Sequence, residues 1–265
     1  MATKTFDMIV VRHGEGFHNL GTLTKNELEF TSDERPKTIN SSLTKKGLLQ
    51  ANLVAERLKD TAFDLAITSD LKRATQTAEA IEKSNDSIKE LVTWRLVRER
   101  CLGDFEGVQE VYKALRIVEN AVSDRDYLTW RPPNGESVQD LRQRITSFLQ
   151  EVQKAALSIP VDSPSILVST HGLFMDELYY VISNGEYGKS IPMEMPGYQN
   201  TGIAHYKLTS IQGNVTEPIL KRVDCLIRSC ANHLENHDTQ YKFCRGGCHG
   251  TEDGENLRNM DEQPR

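Results

Sequence analysis

The chain has 265 residues, 38% of them hydrophobic and 26% charged, with a formal net charge of −6. That length buries a core large enough to fold without disulfide or metal staples, and the composition is that of an ordinary globular protein. The acidic balance excludes a broad basic field for nucleic acid, and no stretch approaches the ~20 apolar residues of a membrane span. The expected partner is therefore a small molecule, with neither nucleic acid nor membrane. A local cluster of Arg and His can still invert the potential of one pocket, so a phosphate ester stays open as a substrate.

Residues 6–11, with the run Met8-Ile9-Val10-Val11, read as a first buried strand ending in Arg12-His13-Gly14. The polar stretch from about 21 to 42 reads as a long loop or lid. Thr44 can cap a helix with Leu48, Ala51, Ala55 and Leu58 at helical spacing. Residues 64–68 form a second strand, and Ser69 is expected to cap a helix with Leu71, Ala74, Ala78 and Ile81 on one face. Residues 91–96 suggest a strand and 108–122 a helix. Ser137 opens a long helix whose stripe is Val138, Leu141, Ile145, Phe148, Val152 and Ala156. A strand over 165–169, a helix over 172–182, and strands near 202–208 and 219–225 close the globular part. Strands alternating with helices of this length predict a three-layer α/β fold, its largely parallel sheet covered by helices on both faces. From about Glu235 the chain is polar and Gly-rich without apolar periodicity. The expected division is a domain over 1–234 and a flexible tail over 235–265.

Three strand ends carry chemistry. The first gives Arg12-His13-Gly14 with Asn19 six residues beyond His13; the second gives Arg73 in the first turn of a helix; the last gives His171-Gly172 at another helix start. In a parallel sheet such junctions converge on one rim, where ligands of open α/β folds bind. Helix amino termini there favour phosphate. A histidine beside a fixed guanidinium is ill suited to a metal cation. It suits a phosphate, whose oxygens Arg12 can hold while the imidazole attacks phosphorus. Glu99, in Arg98-Glu99-Arg100-Cys101-Leu102-Gly103, is the candidate proton donor. A facing phosphate raises a carboxyl's pKa, and such assistance is worth ~10²–10⁴ in rate. His18 could contact substrate but reads first as a solvated loop histidine, Glu106 reads as a structural partner, and Asn200 as a group satisfying backbone near a strand start.

The amino terminus, Met-Ala-Thr-Lys-Thr-Phe-Asp, holds no apolar core of a secretory signal. With five cysteines, the expectation is a cytoplasmic protein with reduced thiols. Cys230, His233, His237, Cys244, Cys248 and His249 gather near the carboxyl end. Their spacing fits no standard zinc finger, and no metal site is assigned.

The site residues belong to a longer ordered series. Arg12-His13-Gly14 and Asn19 are followed by Leu43-Thr44 with Gly47 and Gln50-Ala51, then Ser69-Asp70-Leu71 with Arg73-Ala74 and Gln76-Thr77-Ala78. Glu99 with Gly103 and Glu106-Gly107, Asn134-Gly135-Glu136-Ser137, His171-Gly172 and Asn200-Thr201-Gly202 complete it. Over residues 6–210 this series resembles the histidine phosphatase (phosphoglycerate mutase-like) superfamily. The segment Val223–Leu234 is similar to its TIGAR / fructose-2,6-bisphosphatase branch, whose setting is the regulation of glycolysis. The resemblance implies a metal-independent phosphomonoester hydrolase without a cofactor. It would act through a phosphohistidine on small phosphosugars or bisphosphates, fructose-2,6-bisphosphate first. His13 would be the nucleophile and Glu99 the proton donor, while Arg12, Asn19, Arg73, His171 and Gly172 hold the phosphoryl group. A phosphoglycerate mutase or 2,3-bisphosphoglycerate phosphatase is the alternative enzyme. A non-catalytic phospho-ligand scaffold is the alternative of another class, and the intact nucleophile, acid and arginines speak against it.

Overall fold

The computed structural model describes residues 3–21, 23–24, 27–31, 38–108, 124–183, 197–211 and 219–235. Six strands, β1 (Thr3–Arg12), β2 (Leu65–Thr68), β3 (Leu91–Thr93), β4 (Ser165–Thr170), β5 (Ile203–Ile211) and β6 (Ile219–Cys230), form one sheet. Its order is β3-β2-β4-β1-β5-β6. β3, β2, β4 and β1 run parallel, and β5 and β6 add an antiparallel edge. The sheet is thus mixed, with the parallel part on the side that carries the chemistry.

Among the described residues five helices accompany it: α1 (Lys45–Leu58), α2 (Lys72–Ser84), α3 (Asp124–Thr129), α4 (Val138–Ser158) and α5 (Gly172–Ile182). Successive side chains of a strand face opposite sides of the sheet, and β1 shows the result. Met8 and Val10 join a core with Leu141, Ile145 and Phe148 of α4 and Phe174 and Leu178 of α5. Ile9 and Val11 join another with Val54 and Leu58 of α1 and Ile81 of α2. A strand apolar at every position is what burial on both faces demands, and the three-layer expectation holds. Among the described residues no helix is long and apolar enough to cross a membrane.

Two helix starts form as the sequence predicts. Thr44 Oγ1 accepts the Gly47 N–H at 3.0 Å. Ser137 and Asp140 make a reciprocal capping box, with Asp140 N–H to Ser137 Oγ at 3.1 Å and Ser137 N–H to Asp140 Oδ2 at 2.7 Å. Ser69 departs from expectation. Its N–H still pairs with the Ser169 carbonyl at 3.0 Å, so it ends the strand ladder, and α2 opens only at Lys72 behind Leu71. The Ser69 hydroxyl is thereby left for the active-site rim. β3 stops at Thr93 and gives way to a 3-10 turn over Arg95–Val97. The helix expected over 108–122 falls almost wholly outside the described residues, as does the tail beyond Glu235. α3 was not anticipated. The cysteines that are described, Cys101, Cys225 and Cys230, are free thiols.

Candidate active site

Register fixes the rim. Arg12 of β1 stands beside Thr170 of β4, and Thr68 of β2 beside Ser169, so the residues that follow emerge together at the carboxyl ends of the parallel strands. His13 is the first residue past β1 and is locked by backbone: its N–H bonds the Thr170 carbonyl at 2.9 Å. Its carbonyl accepts from Thr201 N–H at 3.2 Å and Asn200 Nδ2 at 3.1 Å. Asn200 therefore does what the sequence suggested, satisfying the backbone, and the backbone in question is the His13 peptide.

The loop after His13 is held by the other residues of the ordered series. Thr77 Oγ1 accepts the Gly14 N–H at 3.0 Å, Gln50 Oε1 the Glu15 N–H at 2.8 Å, and Gln76 Oε1 the Leu43 N–H at 2.8 Å. Here the first turn of α1 meets the loop backbone to backbone. A Cβ on Gly47 would lie 2.0 Å from the Glu15 carbonyl oxygen, and one on Gly14 would lie 2.5 Å from that of Gly47. Only glycine fits either position.

The His13 ring donates from Nδ1 to the Gly14 carbonyl at 2.6 Å. Nε2 is then the lone-pair nitrogen, and it receives the Arg73 Nε–H at 3.2 Å. Burial, followed by the charges of Arg73, His171 and Arg12, holds the His13 pKa well below the usual imidazole value. The ring is neutral with its lone pair on Nε2, the form a nucleophile needs once Arg73 gives up that hydrogen bond. Arg73 is itself buried and anchored, with Nη1 donating to the Ile39 carbonyl at 2.8 Å. Ile39 lies where residues 29–31 and 38–40 pair across the long loop, so that loop reaches the site.

His171 stands at the cap position of α5, its ring centroid 5.2 Å from that of His13. Nε2 meets Ser69 Oγ at 2.9 Å, while Nδ1 is buried with no hydrogen-bond partner. Burial and then Arg73 keep its pKa well below the ordinary value. Arg12 lies across the start of the same helix, 3.2 Å from where a Cβ of Gly172 would be, with Nη1 donating to the Tyr198 carbonyl. Gly172 thus admits the guanidinium to the helix end. Arg12, His13, Arg73, His171 and Gly172 come together as the sequence predicted.

Two predicted site residues face elsewhere. Asn19 accepts the Gly16 N–H at 2.9 Å and turns its NH₂ to His18 Nε2 at 3.1 Å. The Glu99 carboxylate sits on the amino terminus of α5, accepting from Leu173 N–H and Phe174 N–H at 3.1 Å each and from Arg100 N–H at 3.0 Å. Three amides hold it one residue away from Gly172.

The segment bearing Glu99 is clamped by a pair the sequence analysis did not single out. Arg144 of α4 donates Nη1 to the carbonyls of Leu96 (2.9 Å) and Arg98 (2.8 Å), and Nη2 to that of Glu99 (3.2 Å). Its Nε and Nη2 also grip both oxygens of Glu136, at 3.0 and 2.8 Å. The turn beyond is closed by Gly103, at φ +56°, where a Cβ would lie 2.1 Å from the Pro133 carbonyl oxygen. Two buried carboxyls adjoin the site. Glu106 accepts the Leu102 N–H at 2.9 Å, and burial pushes its pKa up to about 7. Asp176 on α5 has a buried Oδ1 without a hydrogen-bond partner, and burial again pushes its pKa up to about 7 against the pull of Arg228. The signal for Asp176 was the Asp176-Glu177 pair inside the apolar run of α5.

Of the two readings of His18, the structure favours the one beside the pocket: the half-buried ring lies 5.5 Å from that of His13, and desolvation followed by Arg73 and Arg12 pulls its pKa well below the ordinary value. His233, from the Cys/His cluster, meets Thr201 Oγ1 at 2.9 Å. His237, Cys244, Cys248 and His249 lie outside the described residues.

Comparison with known proteins matches residues 8–217 to the family model "Histidine phosphatase superfamily (branch 1)". The chain belongs to that superfamily. It is accordingly an enzyme, a phosphatase of the phosphoglycerate mutase-like fold. A 2,3-bisphosphoglycerate-dependent phosphoglycerate mutase of Bartonella tribocorum is 33% identical, over 68% of this chain and 83% of its own length. The fructose-2,6-bisphosphatase TIGAR of Xenopus tropicalis is 25% identical, over 89% of this chain and 98% of its own. Among solved structures, phosphoglycerate mutase from Bacillus anthracis superposes with a TM-score of 0.60 at 20% identity, over 87% of this chain and 95% of its own. A mycobacterial glucosyl-3-phosphoglycerate phosphatase does so at 0.59 and 20%, over 83% and 98%. The fold is shared by phosphatases and mutases alike.

Proposed function

We propose that this superfamily member hydrolyses small phosphomonoesters through a phosphohistidine on His13, with a sugar bisphosphate as substrate and fructose-2,6-bisphosphate as the first candidate. The observation that carries the reading is the neutral His13 ring, its Nδ1 tied to Gly14 and the lone pair of its Nε2 facing the Arg73 Nε–H, which turns to the phosphate when substrate enters. Nε2 attacks phosphorus, the ester P–O bond breaks, and the leaving oxygen takes a proton from Glu99. Water then attacks the P–N bond while Glu99 takes its proton back, releasing phosphate and restoring the ring. Arg12, Arg73 and the unmatched Nδ1 of His171 supply charge and hydrogen bonds to the phosphoryl oxygens through both steps. No step calls for a metal or cofactor.

Glu99 must turn one oxygen away from the α5 amides before it can carry a proton. An entering phosphate competes for those N–H groups at the helix end, so substrate favours the turn. Asn19 would swing its NH₂ from His18 to the same phosphate. We assign the catalytic domain to residues 1–234, because β6 and the buried Leu234 complete the fold beyond the family match.

The mutase reading rests on the 33% identity to phosphoglycerate mutase. Ranking fructose-2,6-bisphosphate, 2,3-bisphosphoglycerate and 3-phosphoglycerate by kcat/KM tests the proposal. Label appearing in inorganic phosphate supports it; label passing to a second phosphoglycerate favours the mutase.

A further inference from the structure

A third imidazole stands at the site that the reaction above leaves unused. His18 lies in the 3-10 turn Phe17–Asn19, its ring tilted 53° to that of His13 at 5.5 Å. Both of its nitrogens are engaged. Nδ1 is 2.8 Å from the hydroxyl of Ser41, a buried residue of the long loop that also supplies Arg73 with the Ile39 carbonyl. Nε2 is 3.1 Å from Asn19 Nδ2. Asn19 Oδ1 already accepts the Gly16 N–H, so the amide presents its NH₂ to the ring. Nε2 is therefore the acceptor, and Nδ1 carries the proton that Ser41 receives. Gly16 makes the posture possible, because a Cβ there would lie 2.7 Å from His18 Nδ1 and 2.8 Å from Cε1.

We propose that His18 is an anion-responsive contact of this pocket: when a dianionic phosphate enters, Asn19 turns its NH₂ to the phosphate, and the released His18 Nε2 takes up a proton from solvent and donates it to the substrate as a hydrogen bond. The inference rests on the phosphate-binding reading of the site and adds a residue and a proton to it.

The groups facing His18 explain why its charge should follow occupancy. Arg73 from α2 and Arg12 from the end of β1 both act on it, and His13 and His171 adjoin it. In the empty pocket two guanidiniums and burial favour the neutral ring. A dianion held by those guanidiniums cancels their field and adds a negative charge of its own, and both changes favour imidazolium. Binding then consumes a proton, so affinity for a fixed dianion weakens by up to about tenfold per unit of pH between the free-state and bound-state midpoints of His18 and levels off above the bound one. Substrates whose phosphate is fully dianionic gain most.

Sulfate is the probe, because it stays dianionic throughout the neutral range. Calorimetric titration at about pH 7.5 in two buffers of different ionisation enthalpy counts protons taken up per sulfate. The wild-type protein should take up about one more proton than His18→Gln. Imidazole ¹⁵N spectra should show one ring passing from neutral to imidazolium on saturation. Ser41→Ala, which removes the hydroxyl that meets His18, identifies that ring even where the Gln variant fails to fold. Equal uptake in the two proteins, a His18 signal that stays neutral under saturating sulfate, or no sulfate binding by the wild type overturns the inference. A protein that forms phosphohistidine without His18-linked uptake refutes only the inference. One that shows the uptake but never phosphorylates His13 refutes only the proposed function.

Discussion

Asp176→Asn isolates the energetic cost of the carboxyl that α5 buries near Arg12. Oδ1 has no hydrogen-bond partner, and burial moves the group from 3.8 to about 7 against the opposing charges of Arg228 and Arg12. In the unfolded chain the carboxyl ionises near its ordinary value, whereas in the folded protein it keeps its proton until about 7. Below the lower value both states are protonated and the group is neutral in its effect. Between the two values the unfolded state has lost a proton that the folded state retains, so stability falls as pH rises. Above the upper value both are ionised and the penalty is complete. At 1.36 kcal/mol per pH unit the gap amounts to ~4 kcal/mol, and water reaching the partly exposed carboxyl brings the expectation to ~2–3 kcal/mol. Asn carries no such penalty. Urea unfolding of both proteins across roughly pH 3 to 8.5 should show a stability difference near zero at the acid end. That difference should grow to ~2–3 kcal/mol in favour of Asn at the alkaline end. His13, His18 and His171 pull the other way, since buried neutral imidazoles lose stability as pH falls, but they do so in both proteins and cancel in the difference. A difference that does not change with pH, or an Asn variant less stable at the alkaline end, would refute the reasoning.

Arg144→Met leaves the Glu136 carboxylate only the Cys101 N–H, without a countercharge, and frees the carbonyls of residues 96, 98 and 99. Denaturation should show a loss of ~3–5 kcal/mol, and steady-state assays a fall in kcat larger than the rise in KM, because Glu99 loses its position. Gly47→Ala places a methyl 2.0 Å from the Glu15 carbonyl oxygen. The loop after His13 must move, at ~1–3 kcal/mol or more by denaturation, with activity lost alongside. Glu99→Gln should slow alkyl phosphates by ~10²–10⁴ and a nitrophenyl ester far less, since a good leaving group needs no proton. Equal slowing of both would remove Glu99 from the donor role.

Local signals in the chain were read correctly where they sufficed. Thr44 and Ser137 sit at helix starts because a hydroxyl can replace the missing carbonyl acceptor there, and α5 spans Gly172–Ile182 as its apolar run predicts. Arg12, His13, Arg73 and His171 met because strand-to-helix junctions of parallel strands share one rim. Strand direction was harder: Lys207 in β5 and Lys221, Arg222, Asp224 and Arg228 in β6 mark strands open to solvent on one face, a signal of a sheet edge that does not by itself fix antiparallel pairing. Sequence alone ranks the pocket-side reading of His18 second, because the fold-back of its ring depends on Gly16 and on Ser41, 23 residues away. Arg144 was missed since its partners are carbonyls 45 to 48 residues earlier in the chain, which no side-chain pattern reveals. The Glu99 carboxylate could be placed near the site from its motif, but its hold on the α5 amides is a tertiary contact.

The most direct test of the account is the fate of the phosphoryl group in a single turnover. Rapid quenching of the enzyme with labelled fructose-2,6-bisphosphate, followed by peptide mapping under alkaline conditions that preserve phosphohistidine, should find the label on Nε2 of His13 before it appears in inorganic phosphate. His13→Ala should show neither. Undiminished turnover in that variant, or a label residing on any other side chain, would contradict the account.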